Sequence, residues 1–502
     1  METTQTSSAT RLLQTRNALL GNLEAAPRDI LVIGGGIVGA GVARDAAMRG
    51  LQTALVERHD FASGTSSRTS RLLHGGLRYL AQGRIGLVRQ ASVEKRTLHR
   101  IAPHLAEPLA FIFPTYPGTD WPLWQMRIGV RIYDLLCGGK NLGKSSALSR
   151  TEVLSVIPLL KQDRLTGAVR YFDGFTNDAR LVLDTLRSAA AHGALPLNYC
   201  GFQNATRHSD GWRCQIIDQL TGRPFVLQAR AVVNATGPWA QAVPHSQIHL
   251  RLTRGIHIVV PRQRLPFPSA VVLTAGKRIL FVIPWGQRAI VGTTDTDYSG
   301  DPDNVQPTAE DVSYLLRALN DFFPSARISN ADIISSWAGL RPLIADPHVA
   351  ASDISRAHQI GNPEPGWWDV AGGKLTTYRL IAEQTVDQIS AEQKWQVPPC
   401  ATDREPLLKP GEADGVSGIL PPSLGREVVA HYCRNEWAVH LDDVMVRRAN
   451  WHQYHGDSGH EATQVADWMR QHLEWSAAEK SLELTRYRQA FPKDGFTAGM
   501  GL

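Results

Sequence analysis

The stretch DILVIGGGIVGAGVARDAAMRGLQTALVERHD, residues 29–60, leaves few folds open to this chain. A short apolar strand, Ile30–Ile33, runs into Gly34-Gly-Gly36-Ile-Val-Gly39. A helical pattern follows, with Ala40, Ala43 and Ala47 on one face, and a second strand, Thr53–Glu57, ends on an acid. This is a strand–turn–helix–strand unit, the start of a doubly wound parallel sheet. The glycine spacing has a physical logic. Gly34 permits the tight turn, Gly36 lets a pyrophosphate approach the backbone, and Gly39 lets helix and strand pack closely. The helix N-terminus turns its partial positive charge on the phosphates. Glu57, 23 positions beyond Gly34, is placed to accept hydrogen bonds from an adenosine ribose. A dinucleotide is the ligand such a unit takes.

Two distant segments separate a flavin from a nicotinamide dinucleotide. AVVNATGPWA (231–240) reads as a strand ending at Thr236 and Gly237, and resembles the strand that in two-dinucleotide-fold flavoproteins returns to the same sheet and ends near the FAD pyrophosphate. DVAGGKLTTYRLIAEQ (369–384) reads as a strand, the pair Gly372–Gly373, then a helix capped by Thr376 or Thr377. That helix end can face the flavin O2/N1 edge and stabilise negative charge there. Between the first unit and these segments lies GTSSRTSR (64–71), whose Thr65, Ser66, Ser67 and Ser70 are expected to donate to pyrophosphate oxygens. LLHGGLRYL (72–80) follows. Its Gly75 and Gly76 let the backbone pass the isoalloxazine, and Arg78 and Tyr79 stand at its edge; His74 is open to packing beneath the ring or to a covalent bond with its 8-methyl group. Arginine there suits a phosphate or carboxylate.

The later strand patterns, among them GIHIVVP and RILFVIPWGQRAIVGTTD, lack a strict strand–helix rhythm. They predict a second, mainly antiparallel sheet inserted into the nucleotide-binding domain. The expected organisation is an N-terminal extension over 1–28, mobile apart from one short helix around Arg11–Leu23. An FAD-binding domain follows over 29–390 (about 29–100, 165–245 and 350–390), interleaved with a substrate sheet (about 101–164 and 246–349). A Pro- and Gly-rich linker occupies 391–423, and a reduced helical unit 424–502.

No stretch of this 502-residue chain approaches the roughly 18–20 apolar residues of a membrane span. The net charge of +6 suits an anionic ligand or lipid surface, and no long Lys/Arg run or motif points to nucleic acid. Five scattered cysteines, without a Cys-x-x-Cys pair, argue for a reducing compartment and against a disulfide framework or a metal site.

SRLLHGGLRYL, NDARLVLD, VVNATGPW, GIHIVVPR, VGTTDTDY, WAGLRPL and GGKLTTYR, in this order over roughly residues 28–385, give the chain a close resemblance to the FAD-dependent, quinone-linked glycerol-3-phosphate dehydrogenases. The resemblance implies oxidation of sn-glycerol 3-phosphate at C2 by hydride transfer to N5 of a non-covalent FAD. It further implies electron transfer to a quinone, docking on an anionic membrane surface at the inner face of the cytoplasmic membrane, and a homodimer. On matching positions it implies a substrate site of Arg78, Tyr79, His257, Arg341, Arg356 and Lys374. His257 is the expected base because an imidazole titrates near neutral pH. Arg341 and Lys374 anchor anionic groups, and a desolvated Lys374 is a second candidate base.

The segment SDISRAHQI around Arg356 departs from the family pattern, which follows its arginine with Asp and Tyr. It leaves open a related oxidase using oxygen, or another hydroxy acid or amine as substrate. A non-enzymatic flavin binder has no need of Arg78, His257, Arg341 and Lys374 together. For the lipid contact the sequence offers WPLWQMRIGVRIYDLL (121–136), where Trp121, Trp124, Arg127 and Arg131 suit an interface and a core helix fits as well.

Overall fold

The computed structural model describes residues 8–81, 83–118, 121–138, 141–275, 278–345, 358–456 and 459–491; for 8–15, Arg78, Ala81 and Ala275 only the backbone is described. Strand Arg28–Ile33 is paired in parallel with Thr53–Val56 on one side and Pro224–Asn234 on the other. Leu195–Leu197 and Trp367–Gly372 extend the parallel set outward. An antiparallel edge strand, His358–Glu364, and the hairpin Cys200–His208/Gly211–Asp218 complete eight strands.

Helix Ile37–Met48 lies against this sheet between helices Asp178–Ala191 and Tyr378–Glu392. Its small buried face, Ala40, Ala43, Ala46 and Ala47, lets all three approach closely. A Cβ on Gly39 would stand 1.9 Å from the Gly34 carbonyl oxygen, so only glycine fits that helix–turn contact. The first turn of the strand–turn–helix unit is thereby fixed by sterics.

The second sheet has ten strands and is antiparallel except where Ala270–Ala275 runs parallel to Glu107–Thr115. Leu250–Pro261 lies beside Ser335–Ile344 over ten residue pairs and beside Arg288–Gly292. Strand Gly167–Phe175, placed by sequence with the FAD half, belongs here instead. It pairs with Glu107–Thr115 over nine positions, and Leu72–Leu73 pairs with its far end. The chain thus crosses between sheets immediately after residue 71.

The helix expected around Arg11–Leu23 is present and longer, and it is docked rather than part of a mobile tail. Helix Ser8–Ala25 buries Leu20 and Leu23 on the first sheet, and Arg16 binds Asp218 at 2.8 Å and the Asn198 carbonyl at 2.7 Å. The Pro-rich 396–425 stretch has no helix or strand, yet it is docked: Arg44 donates to the carbonyls of Thr402, Glu405 and Pro406, and Leu407 is buried.

Helices Arg426–Asn435, Trp451–His455, Gly459–Leu473 and Ala477–Ala490 form the C-terminal unit around its own apolar core. Buried ion pairs lock it to the FAD half. Asp60, just past the second strand, takes Arg447 and Arg448, while Arg180 takes Glu436 at 2.5 Å. Removing one partner of such a pair strands a buried charge, at about 3–5 kcal/mol.

Candidate active site

Two cavities meet beneath the second sheet. The first, about 370 Å³, lies along the strand ends of the parallel sheet. Gly34, Gly36, Glu57, Thr65, Ser66, Thr236, Gly237, Gly372 and Gly373 all line it. Glu57 closes one end. Its carboxylate accepts from the backbone N–H of Gly35 at 2.8 Å and of His59 at 2.9 Å, while burial pushes its pKa above the usual range. Gly36 caps helix Ile37–Met48 with no side-chain hydrogen bond, so the helix end is presented to the cavity. Carboxylate, glycine-capped helix end and elongated space fit the ribose and pyrophosphate of a dinucleotide.

The second cavity, about 620 Å³, shares Thr65, Thr69, Pro342, Gly373, Lys374 and Leu375 with the first, so one extended ligand can pass through both. Its roof is the second sheet, and the roof is divided. On Leu250–Pro261, Ser335–Ile344 and the turn after Gly292 it carries His257, Arg341, Thr293, Thr294 and Asp295. On the remaining strands it carries Phe111, Phe113, Tyr171 and Phe281, with Asp173 and Arg278 among them.

His74, Gly76, Tyr79, Lys374 and Thr376 form the opposite wall. Lys374 Nζ stands 4.0 Å from the Tyr79 ring centroid. Gly75 faces away from the cavity. A Cβ there would meet the Tyr133 hydroxyl at 2.4 Å, and its N–H donates to that hydroxyl at 2.8 Å. Tyr133 in turn donates to Asp173 at 2.5 Å, where buried Lys95 also binds at 2.7 Å. This buried triad explains the two adjacent glycines: the loop is drawn inward at Gly75 and turned with positive φ (83°) at Gly76.

Several expected roles change in the structure. Thr65 spends its hydroxyl proton on the Leu340 carbonyl at 2.7 Å. Ser66 accepts from Ile37 N–H at 3.0 Å, steadying the helix end itself. Ser70 lies in the second cavity rather than at the pyrophosphate, its hydroxyl 2.8 Å from His257 Nε2. Of Thr376 and Thr377, it is Thr377 that stands at the N-cap of the following helix, without a side-chain cap bond. Thr376 accepts from His74 N–H at 3.0 Å, and the turn Leu375–Thr377 intervenes before helix Tyr378–Glu392.

His257 does not titrate near neutrality. Burial first, then Arg341 and Arg71, push its pKa down to about 3, so it is neutral at working pH. The Arg78 side chain and all of Arg356 lie outside the described residues.

Arg341 is pre-aimed. Its guanidinium donates to Asp295 at 3.1 Å, the Thr294 carbonyl at 3.2 Å and Thr293 Oγ1 at 3.0 Å. Sequence reasoning missed Asp295, the Tyr133–Asp173–Lys95 triad and Trp337, which stacks on His257 at 5.2 Å. Asp295 sat in the motif VGTTDTDY and Trp337 in WAGLRPL; the triad carried no local signal.

A parallel sheet cradling a dinucleotide, roofed by an antiparallel sheet with a cationic wall, defines a flavin-dependent oxidoreductase. The family described as FAD dependent oxidoreductase matches residues 29–388. Aerobic glycerol-3-phosphate dehydrogenases of Staphylococcus epidermidis and Staphylococcus aureus are 38% and 39% identical over 388 residues, 76% of this chain and 70% of each relative. The solved glycerol-3-phosphate dehydrogenase of Bacillus halodurans, complexed with FAD, superposes with a TM-score of 0.75 at 28% identity, over 95% of this chain and 96% of that one. The FAD-bound L-alpha-glycerophosphate oxidase of Mycoplasma pneumoniae shares the fold, with a TM-score of 0.60 at 18% identity over 76% of this chain and 98% of that one. The chain belongs to the FAD-dependent glycerol-3-phosphate dehydrogenase family, and FAD is its cofactor.

Proposed function

We propose that the protein oxidises sn-glycerol 3-phosphate at C2 to dihydroxyacetone phosphate and delivers the electrons to a quinone at a membrane surface. The observation that carries this reading is the meeting of His257, Arg341 and Lys374 in the cavity that continues from the dinucleotide cradle. In this reading Gly34, Gly36, Glu57, Thr236, Gly237, Gly372 and Gly373 hold the dinucleotide, and His74 and Gly76 lie along its ring. Bound FAD supplies the acceptor for the hydride leaving C2. Arg341 and Lys374 bind the substrate's anionic group, Tyr79 packs beside them, and Arg78 and Arg356 belong to the same set.

The C2 hydroxyl proton goes to neutral His257, directly or across the Ser70 hydroxyl. A base this weak suffices, because a hydroxyl becomes strongly acidic as hydride departs and its carbon turns into a carbonyl. The aromatic half of the roof suits a flat apolar acceptor better than a phosphate.

Helix Leu123–Leu136 supports the membrane reading. Among the described residues no helix is long and apolar enough to cross a bilayer. This one nevertheless exposes Trp124, Ile128, Ile132 and Leu135, at i, i+4, i+8 and i+11 on one stripe. Exposed Arg127 and Arg131 flank the stripe, and Arg89 and Ile85 add to it from the neighbouring helix. An apolar stripe with a cationic rim fits the interface of an anionic bilayer. Trp121, just before this helix, and Met126, in its first turn, line the reaction chamber.

The test is product formation from sn-glycerol 3-phosphate with a soluble quinone analogue or oxygen as acceptor, with and without anionic vesicles. Faster turnover with the quinone, and sedimentation with the vesicles, support the reading. Turnover equal or faster with oxygen overturns the quinone assignment.

A further inference from the structure

The chemistry above leaves one buried cation unexplained. Arg71 is 1% exposed, and its Nε and Nη1 have no hydrogen-bond partner. The carboxylate it faces, Asp178, is 3.9 Å away and already accepts from Thr69 N–H and Oγ1. The residue also sits in the left-handed region, φ 57°, where a non-glycine side chain is strained. A buried guanidinium with unmade hydrogen bonds is costly, so its surroundings must stabilise it in another way.

They are aromatic. The guanidinium carbon lies 4.3 Å from the Trp285 ring centroid and 5.6 Å from that of Trp337. Trp337 is the indole that stacks on His257, with the planes 20° apart. The run His257–Trp337–Arg71–Trp285 continues to Tyr454 of the C-terminal unit, edge-on to Trp285 at 4.8 Å. Along the backbone the same segment reaches His257 a second time. Thr69 Oγ1 accepts from Arg71 N–H, Arg71 O accepts from Thr176 N–H, and between them Ser70 bonds His257 Nε2.

We propose that Arg71 is a positioning residue for the reaction, holding Trp337 against the His257 ring and the Ser70 hydroxyl on His257 Nε2. It touches neither substrate nor flavin. This inference rests on the reading of His257 as the group that receives the substrate proton. The charged groups around His257 are Arg71 with Asp178 behind it, Arg341 with Asp295, and Lys374 across the chamber. Arg71 and Arg341 both disfavour the imidazolium, so losing either moves protonation of His257 toward neutral pH.

The test uses FAD-loaded Arg71→Met, Arg71→Lys and Trp337→Phe. Anaerobic flavin reduction by sn-glycerol 3-phosphate is followed across pH. Arg71→Met is expected to slow the limiting rate about tenfold to a hundredfold, with half-saturation changed less than about twofold. The acid limb of its rate profile moves up in pH, because a cation beside His257 is gone. Arg71→Lys restores the limb, and Trp337→Phe slows reduction with FAD retained. An unchanged limiting rate and limb in Arg71→Met, or a loss confined to half-saturation, overturns the proposal.

Should Arg71→Met not hold FAD, Trp337→Phe decides: a wild-type limiting rate there overturns the proposal. Should the wild-type enzyme not be reduced at all, the substrate reading fails instead. Arg71 is then judged from the ring-nitrogen NMR shifts of His257 with and without the substitution, and an unchanged protonation midpoint overturns it.

Discussion

The dinucleotide cradle and the reaction chamber are adjoining cavities built on different plans. The cradle is made mostly of backbone. One contiguous strand–turn–helix–strand supplies Gly34, Gly36 and Glu57, and two later strand ends supply Thr236, Gly237, Gly372 and Gly373. The chamber is made of side chains brought from strands far apart in sequence, such that Ser70 meets His257 and Asp295 meets Arg341. Backbone sites tolerate side-chain change but not added bulk. Side-chain sites tolerate bulk elsewhere but not loss of a charge.

That difference is open to attack by substitution. The largest effect is expected at Gly39, where the contact with Gly34 leaves no room for a side chain. Gly39→Val is expected to cost about 3 kcal/mol or more by overpacking and to yield protein without FAD, measured by flavin content and thermal melting. Arg341→Ala strikes the other cavity. It is expected to keep its FAD and to lose about a hundredfold in kcat/KM for sn-glycerol 3-phosphate, about 2.7 kcal/mol of charge-assisted binding to the anion.

A smaller effect sets the acid limit of the lock between the FAD half and the C-terminal unit. Asp60, in that lock, is held at a pKa of about 2 against an ordinary 3.8. Burial opposes this shift, but Arg448 and Arg447 outweigh it. The folded-state value is depressed, so the stabilisation is full above pH 3.8 and is lost as the pH falls through 2. About 2 kcal/mol disappears over that window. Acid unfolding followed by flavin fluorescence checks it, and Asp60→Asn is expected to be less stable at neutral pH and to lack that part of the acid transition. The smallest effect belongs to Glu57→Gln. It trades a charged acceptor for a neutral one and is expected to weaken FAD binding about tenfold, while kcat at saturating FAD stays unchanged. A fall in kcat there would blur the division between the two cavities.

The division also accounts for what was legible in the sequence. The parallel sheet could be read from residues 29–60 because its signal is local: a glycine spacing, an apolar strand, an acid at fixed distance. The hydroxyl partners of Thr65 and Ser70 were hidden for the same reason. A run of hydroxyl residues after a nucleotide-binding strand suggests phosphate donors. Their actual partners, the Leu340 carbonyl and His257, lie in the other sheet.

Strand Gly167–Phe175 was assigned to the wrong sheet because strand periodicity does not name a partner. The shift at His257 was hidden too. It arises from burial and from two arginines whose approach only the folded roof creates. Arg341 and Lys374 were recognised through family motifs rather than through any spacing of their own.

The most direct test of the central claim is an anaerobic titration of the FAD-loaded protein with sn-glycerol 3-phosphate, watching the visible flavin absorbance. The account predicts bleaching at low substrate concentration, with dihydroxyacetone phosphate formed in equal amount, and recovery of the yellow colour on adding a quinone analogue. A protein that holds FAD in its cradle and does not bleach would contradict it, showing that the chamber serves another substrate.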